Sequence, residues 1–169
     1  MHILVTGGAG YVGSATAAYF LKAGHRVTVF DSLVKGHRAA VPNGAAFIKG
    51  DLGNPAALDI LFQAHDFDAV AHFAAFIEAG ESMEKPWKYF SNNVTNTHNL
   101  LAAMTRYGVK KLIFSSTAGV YASKDTPLSE NDPYAPASVY GESKLMIERI
   151  LHWYNQTAGL NFAALRYFN

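Results

Sequence analysis

A glycine-rich segment near the start of the chain restricts its fold more than any other feature. The segment is Thr6-Gly7-Gly8-Ala9-Gly10-Tyr11-Val12-Gly13, and it joins a short apolar run to an alanine-rich stretch of helical character. Glycines 8, 10 and 13 fit the pattern G-x-G-x-x-G, and glycines 7, 10 and 13 fit a related three-spaced version. Glycines permit a tight turn off a strand, backbone contact with a pyrophosphate, and close helix-to-strand packing. The segment therefore predicts a dinucleotide-binding turn.

Two acidic residues follow predicted strands. Asp31 lies about 20 residues after Gly10, where a carboxylate accepts hydrogen bonds from an adenosine ribose and repels a 2′-phosphate. This position favours NAD over NADP. Asp51 and Leu52 follow the third predicted strand, at the sheet edge where open α/β sheets bind ligands. They are candidates for contact with the adenine, although an Asp before a turn equally fits helix entry.

Short apolar runs alternate with segments of helical period along the whole chain. This alternation is typical of βαβ units that build a parallel sheet. Strands are predicted at His2–Thr6, Arg26–Phe30, Ala45–Lys49, Ala69–Phe73, Lys111–Ser115 and Phe162–Arg166. Helices are predicted at Tyr11–Ala23, Pro55–Ala64, Pro86–Tyr107 and Val139–Thr157, and a long surface loop at Ser116–Ala137. Because crossover connections are right-handed, we expect an α/β, Rossmann-like doubly wound parallel sheet with helices on both faces.

Composition excludes several other classes of protein. Half of the 169 residues are apolar and 16% are charged, which favours a single globular domain. The net charge is +1 without a basic cluster, which argues against nucleic-acid binding. The chain has no cysteine, and its seven histidines lack metal-ligand spacing, so no metal site is predicted. No apolar run is long enough for a signal peptide or a membrane span, and we expect a cytoplasmic protein.

A tyrosine and a lysine lie one helical turn apart near the start of the last predicted helix. Tyr140 and Lys144 are at i and i+4, so they share one helix face. A phenol with a pKa of about 10 is a poor base at neutral pH. A neighbouring ammonium, together with a positive nicotinamide, stabilises the phenolate and lowers that pKa. The pair predicts acid/base catalysis, although such spacing also occurs on ordinary solvated helix faces.

Hydroxyl groups end the fifth predicted strand, in the run Ser115-Ser116-Thr117. The carboxyl end of that strand is where the sheet would present a hydroxyl to a bound substrate. Thr117 is therefore a candidate to orient the reacting oxygen toward Tyr140. A simple capped turn is the alternative.

Taken together, these residues resemble the extended short-chain dehydrogenase/reductases, and within them the UDP-glucose 4-epimerases. The resemblance covers the family's N-terminal half and essentially all of this chain. It extends over Thr6–Ser14, Gly50–Leu52, His72–Ala75, Gly80–Ser82, Asn92–Val94, Phe114–Thr117, Val120–Tyr121, Tyr140–Lys144 and Leu165–Asn169.

The resemblance implies a role for each matched position. Cofactor contacts are implied for Gly7, Gly10, Tyr11, Val12, Gly13, Asp31, Asp51, Leu52, Phe73, Ala74, Ala75, Asn92, Ser115, Tyr140, Lys144 and Tyr167. Catalysis is implied for Thr117, Tyr140 and Lys144, and substrate contact for Thr117, Tyr140 and Asn169.

The activity implied is interconversion of UDP-hexoses at C4. Tyr140 would take the proton of the sugar 4-OH while the C4 hydrogen leaves as hydride to NAD. The resulting 4-keto sugar would then rotate, and hydride would return to its other face. The resemblance also implies a homodimer formed through a four-helix bundle, from the helices that carry Tyr89–Tyr107 and Val139–Thr157. Residues 1–169 would be the NAD-binding domain alone, with the lobe that grips the sugar absent.

Some positions depart from the family pattern, and other functions stay open. Ile77 stands where many epimerases have a cofactor-binding lysine, Glu142 where lysine is common, and Ala122 where glycine is common. These departures bear on cofactor affinity more than on reaction class. A 4,6-dehydratase is disfavoured because Ala118 and Gly119, rather than acidic residues, follow Thr117. Another nucleotide-sugar epimerase, or an NAD-binding module without turnover, remains an alternative.

Overall fold

The computed structural model describes residues 1–168, and its centre is a six-stranded parallel sheet. The strand order is β3-β2-β1-β4-β5-β6. Strands β1 to β3 are added toward one edge of the sheet and β4 to β6 toward the other, so the order of addition reverses between the parallel neighbours β1 and β4. The strands are β1 (His2–Thr6), β2 (Arg26–Asp31), β3 (Ala46–Lys49), β4 (Ala69–His72), β5 (Lys111–Thr117) and β6 (Asn161–Tyr167). The predicted doubly wound sheet is confirmed, and all six predicted strands are present with boundaries that differ by at most two residues.

Helices cover both faces of this sheet, as predicted. They are α1 (Tyr11–Lys22), α2 (Pro55–Ala64), α3 (Ala79–Glu84), α4 (Pro86–Tyr89), α5 (Asn96–Arg106) and α6 (Val139–Ala158). One face packs on α1, where Ala17 joins a cluster with Ile3, Val5 and Val29. Among residues 1–168, none of the helices is both long and apolar enough to cross a membrane.

The larger core lies on the opposite face, beneath α2, α5 and α6. Alternate strand residues such as Leu4 and Phe114 point into it and meet Leu58, Leu100 and Leu151 from the three helices. Successive side chains of a strand point to opposite faces, so the nearly continuous apolar runs of β1 and β5 fill both cores. The helices begin and end at recognisable signals. Asn54 caps α2 before a proline, for example, and the left-handed Gly159 ends α6.

Two segments differ from the sequence prediction. Helix α3 lies in a stretch for which no element was predicted, because six residues give too short a period to recognise. The predicted helix Pro86–Tyr107 is present, but α4 and α5 are joined by a π-helical turn at Phe90–Thr95. A π-helical turn inserts a residue into the helix and is common at functional sites.

The predicted loop Ser116–Ala137 is more ordered than expected. Strand β5 extends to Thr117, and a short 3₁₀ turn follows at Ala118–Val120. Tyr121 then pairs with Tyr134 in an isolated antiparallel bridge. Hydrogen bonds between the two ends of the loop therefore hold it against the sheet.

A buried histidine connects β1, β4 and the helices at the centre of the sheet. His72 is 2% exposed, and its Nδ1 and Nε2 lie 2.6 Å from Thr6 Oγ1 and 2.8 Å from Thr97 Oγ1. Burial, and to a smaller extent Lys144, lowers the pKa of His72 to about 3. His72 is therefore neutral in the native protein.

We predict that His72 contributes to acid sensitivity. The unfolded chain takes up a proton at this histidine below about pH 6.5 but the folded protein only near pH 3, so the free energy of unfolding falls as pH decreases through that window. The slope due to one proton is about 1.4 kcal/mol per pH unit. Urea unfolding between pH 7 and 4 should show a smaller slope in His72→Asn than in the parent, and an unchanged slope in the exposed control His152→Asn. Equal slopes in His72→Asn and the parent would contradict this assignment.

Candidate functional site

The glycine turn brings β1 and α1 into direct backbone contact. Gly7 has a φ of +72°, and a Cβ placed there would lie 2.5 Å from the Ala74 nitrogen. A Cβ on Gly13 would lie 2.3 Å from the Gly7 carbonyl oxygen. Neither position has room for a side chain, so the sequence folds into this turn only with glycine at both.

Gly10 differs from these two glycines because its surroundings are less crowded. An added Cβ would meet only the Gly7 oxygen, at 3.3 Å. Gly10 is also the N-cap of α1, where no side chain among the described residues caps the helix and the first turn carries no acid. The next residue, Tyr11, is 92% exposed. The first N–H groups of α1 are thus accessible to an anion, which the helix dipole would also favour.

Asp31 lies at the carboxyl end of β2 and holds the turn from one side. Its carboxylate oxygens accept hydrogen bonds from Ala9 N at 3.0 Å and Leu33 N at 2.8 Å. The backbone of His37 in turn donates to Ala9 O at 2.9 Å. The predicted ribose-binding acid is therefore next to the glycine turn and has a structural role there as well.

The loop after β4 lies on the other side of the turn. Phe73 N donates to Thr6 O at 2.9 Å, and Phe73, Ala74 and Ala75 are partly exposed along the edge of the sheet. Asn92, from the π-helical turn, is half-buried and donates to Asn93 Oδ1 at 3.0 Å. These four predicted cofactor contacts lie in two segments that pack together.

Asp51 and Leu52 are engaged locally. Asp51 Oδ1 accepts from Gly53 N at 2.7 Å, which closes a turn, and the Leu52 side chain is buried in the larger core. They follow β3, at the edge of the sheet. Contact between these residues and an adenine stays a prediction.

The hydroxyl, phenol and ammonium groups meet at the carboxyl end of β5. Lys144 is 2% exposed, and its Nζ donates to Ser115 O at 2.8 Å. The same Nζ lies 5.9 Å from the centroid of the Tyr140 ring and 4.8 Å from that of Phe114. The Thr117 hydroxyl, which accepts from Gly119 N at 3.1 Å, lies close enough to the Tyr140 phenol to lower its pKa against the effect of burial. Strand β5 and the first turn of α6 therefore bring all three predicted catalytic residues together.

The pKa of Tyr140 in the chain alone lies above its ordinary value. Burial raises it, and the Thr117 hydroxyl acts in the opposite direction. Burial also lowers the pKa of Lys144 to about 7, so this group is only partly protonated at neutral pH. Burial therefore dominates the pKa of Tyr140 in the chain alone, and the lowering expected from Lys144 together with a bound nicotinamide stays a prediction.

The remaining predicted contacts lie at the end of β6. Tyr167 is paired in register with Thr117, and the Tyr167 ring is 39% exposed. Burial of its hydroxyl end raises the pKa of Tyr167. Asn169, the predicted substrate contact, lies outside the described residues.

Several residues that support the site were not singled out from the sequence. Asn93 is 1% exposed; its Oδ1 accepts from Phe76 N at 2.9 Å and its Nδ2 donates to Phe76 O at 3.0 Å. Ser82, on α3, accepts from Tyr140 N at 3.1 Å. Both residues fall in matched motifs that gave no indication of their contacts.

Arg166 is the centre of another supporting cluster. It forms an ion pair with Glu148 at 2.6 Å and donates to the hydroxyls of Tyr121 and Tyr134. The cluster borders a cavity of about 700 Å³ beside the end of β6. It fixes the loop between Thr117 and Tyr140 to the sheet. Elsewhere in residues 1–168, no group of three or more acidic or histidine side chains is arranged to hold a metal ion.

A parallel sheet in this strand order, with a glycine turn at the reversal point and an acid after β2, defines a dinucleotide-binding domain of the Rossmann type. Comparison with known proteins agrees. Residues 3–169 match the family described as NAD dependent epimerase/dehydratase, and the chain belongs to that family.

Individual relatives are similar over the whole chain. UDP-glucose 4-epimerase of Lacticaseibacillus casei is 48% identical over 170 residues, which cover 100% of this chain and 51% of that protein. UDP-arabinose 4-epimerase 1 of Arabidopsis thaliana is 42% identical over 178 residues, covering 99% of this chain and 42% of that protein. The crystal structure of UDP-glucose 4-epimerase from Brucella ovis in complex with NAD superposes with a TM-score of 0.96 at 39% identity, over 99% of this chain and 52% of that one. The chain thus spans about half the length of the relatives it matches.

We predict that Lys144 makes stability depend on pH above neutrality. The unfolded lysine keeps its proton up to about pH 10.5 and the folded one only to about pH 7, so the free energy of unfolding rises with pH between those values. The rise is at most about 1.4 kcal/mol per pH unit for one proton. Urea unfolding from pH 7 to 9.5 should show a flatter dependence for Lys144→Met than for the parent, whereas the exposed control Lys110→Met should retain the parent slope. A parent slope in Lys144→Met would show that the lysine stays fully protonated when folded.

Proposed function

We propose that this chain is the NAD-binding part of a UDP-glucose 4-epimerase. The observation that carries the proposal is the position of Tyr140, Lys144 and Thr117 at the carboxyl end of β5, on the same edge of the sheet as the glycine turn. Membership of the family supports the proposal. So does the UDP-glucose 4-epimerase from Brucella ovis, whose structure contains NAD.

The residues of the turn fit a dinucleotide. The uncapped start of α1 and the less crowded space at Gly10 would accept the pyrophosphate, with Tyr11, Val12 and the Gly7 and Gly13 backbone around it. Asp31, already oriented by two backbone N–H groups, would accept hydrogen bonds from the ribose hydroxyls. The remaining proposed contacts are Asp51 and Leu52 for the adenine, Phe73, Ala74, Ala75, Asn92 and Ser115 along the cofactor, and Tyr140, Lys144 and Tyr167 around the nicotinamide end.

Within the proposed mechanism, residues of this chain accept and return the proton of the sugar 4-OH. When bound, NAD supplies a centre that accepts a hydride from the sugar C4 and returns it. Tyr140 would take the hydroxyl proton as C4 is oxidised to a ketone, and would give it back when C4 is reduced on the other face. Thr117 would orient the reacting oxygen. Lys144, fixed by the Ser115 carbonyl, would stabilise the phenolate electrostatically when it is protonated.

We propose UDP-hexoses as the substrates, with Thr117, Tyr140 and Asn169 as contacts from this chain. Residues 1–169 would form one NAD-binding domain, and the lobe that grips the nucleotide sugar would lie outside this sequence. Another nucleotide-sugar epimerase of the same family is the neighbouring possibility, supported by the 42% identity to a UDP-arabinose 4-epimerase. We expect the protein to act in the cytoplasm.

The proposed partner is a second copy of the chain. Helices α5 and α6 lie side by side, where Tyr154 Oη and His98 Nε2 are 3.3 Å apart. Trp153 is 62% exposed on α6. A homodimer through a four-helix bundle would cover this part of the two helices.

An NAD-binding module without turnover is the second candidate function. The chain covers 51% of the Lacticaseibacillus casei enzyme, so binding and turnover by these residues are tested separately. Titration calorimetry with NAD beside a turnover assay separates the two candidates. Binding together with conversion of UDP-galactose to UDP-glucose supports the enzyme, whereas binding without conversion supports the module.

We predict that Gly10→Ala lowers the affinity for NAD without unfolding the protein. The added methyl would occupy the space at the start of α1, where the pyrophosphate would approach, but it meets no side chain. Calorimetry should show Kd for NAD rising by at least about tenfold, equivalent to about 1.4 kcal/mol of binding free energy. Gly80→Ala, where an added Cβ meets nothing within 4 Å, is the control and should bind as the parent does. Parent affinity in Gly10→Ala would place the pyrophosphate elsewhere.

We predict that Tyr140→Phe lowers the rate of UDP-galactose conversion by about 10²–10⁴-fold, the usual contribution of a general acid/base. Affinity for NAD should change much less, because the ring is retained. Tyr19→Phe, which alters a tyrosine that is 69% exposed on α1, should have the parent rate. Equal rates for Tyr140→Phe and the parent would remove Tyr140 from the mechanism.

A further inference from the structure

The first turn of α6 donates a hydrogen bond to a residue outside the helix. The first N–H groups of a helix have no partner within it. Ser138, the N-cap, accepts from Gly141 N at 3.1 Å in the usual way. The Tyr140 N–H instead reaches Ser82 Oγ, 58 residues earlier in the chain, at 3.1 Å.

Ser82 is well suited to hold this position. It is 0% exposed, and its hydroxyl donates to Ala79 O at 2.6 Å, which leaves the oxygen oriented as an acceptor. Ser143, also 0% exposed, donates to Tyr140 O at 2.7 Å and accepts from Asn93 Nδ2 at 3.2 Å. Both backbone polar groups of Tyr140 are therefore bonded to buried serines.

The short helix that carries Ser82 is itself fixed by side chains. Helix α3 has only six residues, too few to be stable alone. Glu81, beside Ser82, accepts from Lys88 at 2.8 Å and from the Tyr89 hydroxyl at 3.0 Å. Tyr89 is fully buried, so it anchors α3 to α4. Ser82, which accepts from the first turn of α6, is thus held in place by the contacts between α3 and α4.

We propose that Ser82 is a positioning residue, which sets the place of the Tyr140 phenol by capping α6 from α3. The positioning role is argued from the contacts alone, and only its expected effect on catalysis rests on the proposed function. The Ser82–Tyr140 bond fixes the backbone from which the phenol projects toward Thr117. If the bond were lost, the first turn would loosen and the phenol would leave its partly buried place beside Thr117 and Lys144.

Two readouts test the proposal without turnover or cofactor. The first is the hydrogen-exchange rate of the Tyr140 amide, measured by NMR. We expect Ser82→Ala to raise this rate by about tenfold or more, because the accepting oxygen is gone. The second is the titration of the Tyr140 ring, followed by ζ-¹³C-tyrosine NMR with the signal assigned from Tyr140→Phe. In Ser82→Ala the pKa should move from its raised position toward the ordinary value for tyrosine, as the ring becomes more exposed.

A matched control lies at the far end of the same helix. Asn155 Nδ2 donates to Leu160 O at 2.8 Å, so Asn155→Ala removes a side-chain bond from α6 without touching its first turn. It should change neither readout at Tyr140. Because Ser82 is buried, Tyr89→Phe is a second variant for the case in which Ser82→Ala does not fold. It removes the hydroxyl that holds Glu81 and should shift both readouts in the same direction by a smaller amount.

The outcomes separate the two proposals. A parent-like Tyr140 titration in folded Ser82→Ala, or in Tyr89→Phe if Ser82→Ala does not fold, would overturn the role of Ser82 whatever the enzyme does. If the chain does not bind NAD while Ser82→Ala shifts the titration and Asn155→Ala does not, the positioning role stands and the proposed function fails. Where turnover is measurable, Ser82→Ala should lower kcat and leave KM for the sugar nearly unchanged.

Discussion

The backbone contact between Gly13 and Gly7 is the constraint on which the rest of the site depends. Because no side chain separates α1 from β1, the free N–H groups of the helix lie at the carboxyl edge of the sheet. Asp31 holds this turn from β2, and Ala74 packs against it from the loop after β4. Three strand ends therefore surround one anion-accepting point, and the reversal of strand order between β1 and β4 provides the cleft beside it.

Lys144 shows that the site is not arranged for maximum stability. A fully buried ammonium without an acidic partner is costly, and burial lowers its pKa to about 7 as a consequence. Its one hydrogen bond goes to the Ser115 carbonyl. A methionine of similar size would fill the same space at a lower cost. A charge kept in such a place, one helical turn from a phenol, fits a role in acid/base chemistry better than a role in packing.

The sequence predicted the parts of the molecule that depend on local pattern. The apolar runs indicated the strands and the glycine segment indicated the dinucleotide-binding turn. The spacing of Tyr140 and Lys144 placed both residues on one helix face. The sequence did not predict contacts between distant segments: Ser82 with Tyr140, Asn93 with Phe76, or Arg166 with Tyr121. It also did not show that burial raises the pKa of Tyr140 in the chain alone, because spacing shows that two groups are neighbours but not how deeply either is buried.

The two halves of the site are joined by a hydrogen-bonded chain through the sheet. Thr97 donates to Asn93 O, so it must accept from His72 Nε2–H, and His72 Nδ1 must then accept from Thr6. The direction of each bond requires a neutral imidazole, as its lowered pKa provides. Thr6 precedes the glycine turn, and Asn93 holds both the loop after β4 and Ser143 on α6. The proposed binding and catalytic groups are therefore connected by one set of hydrogen bonds, and protonation of His72 in acid would disturb both.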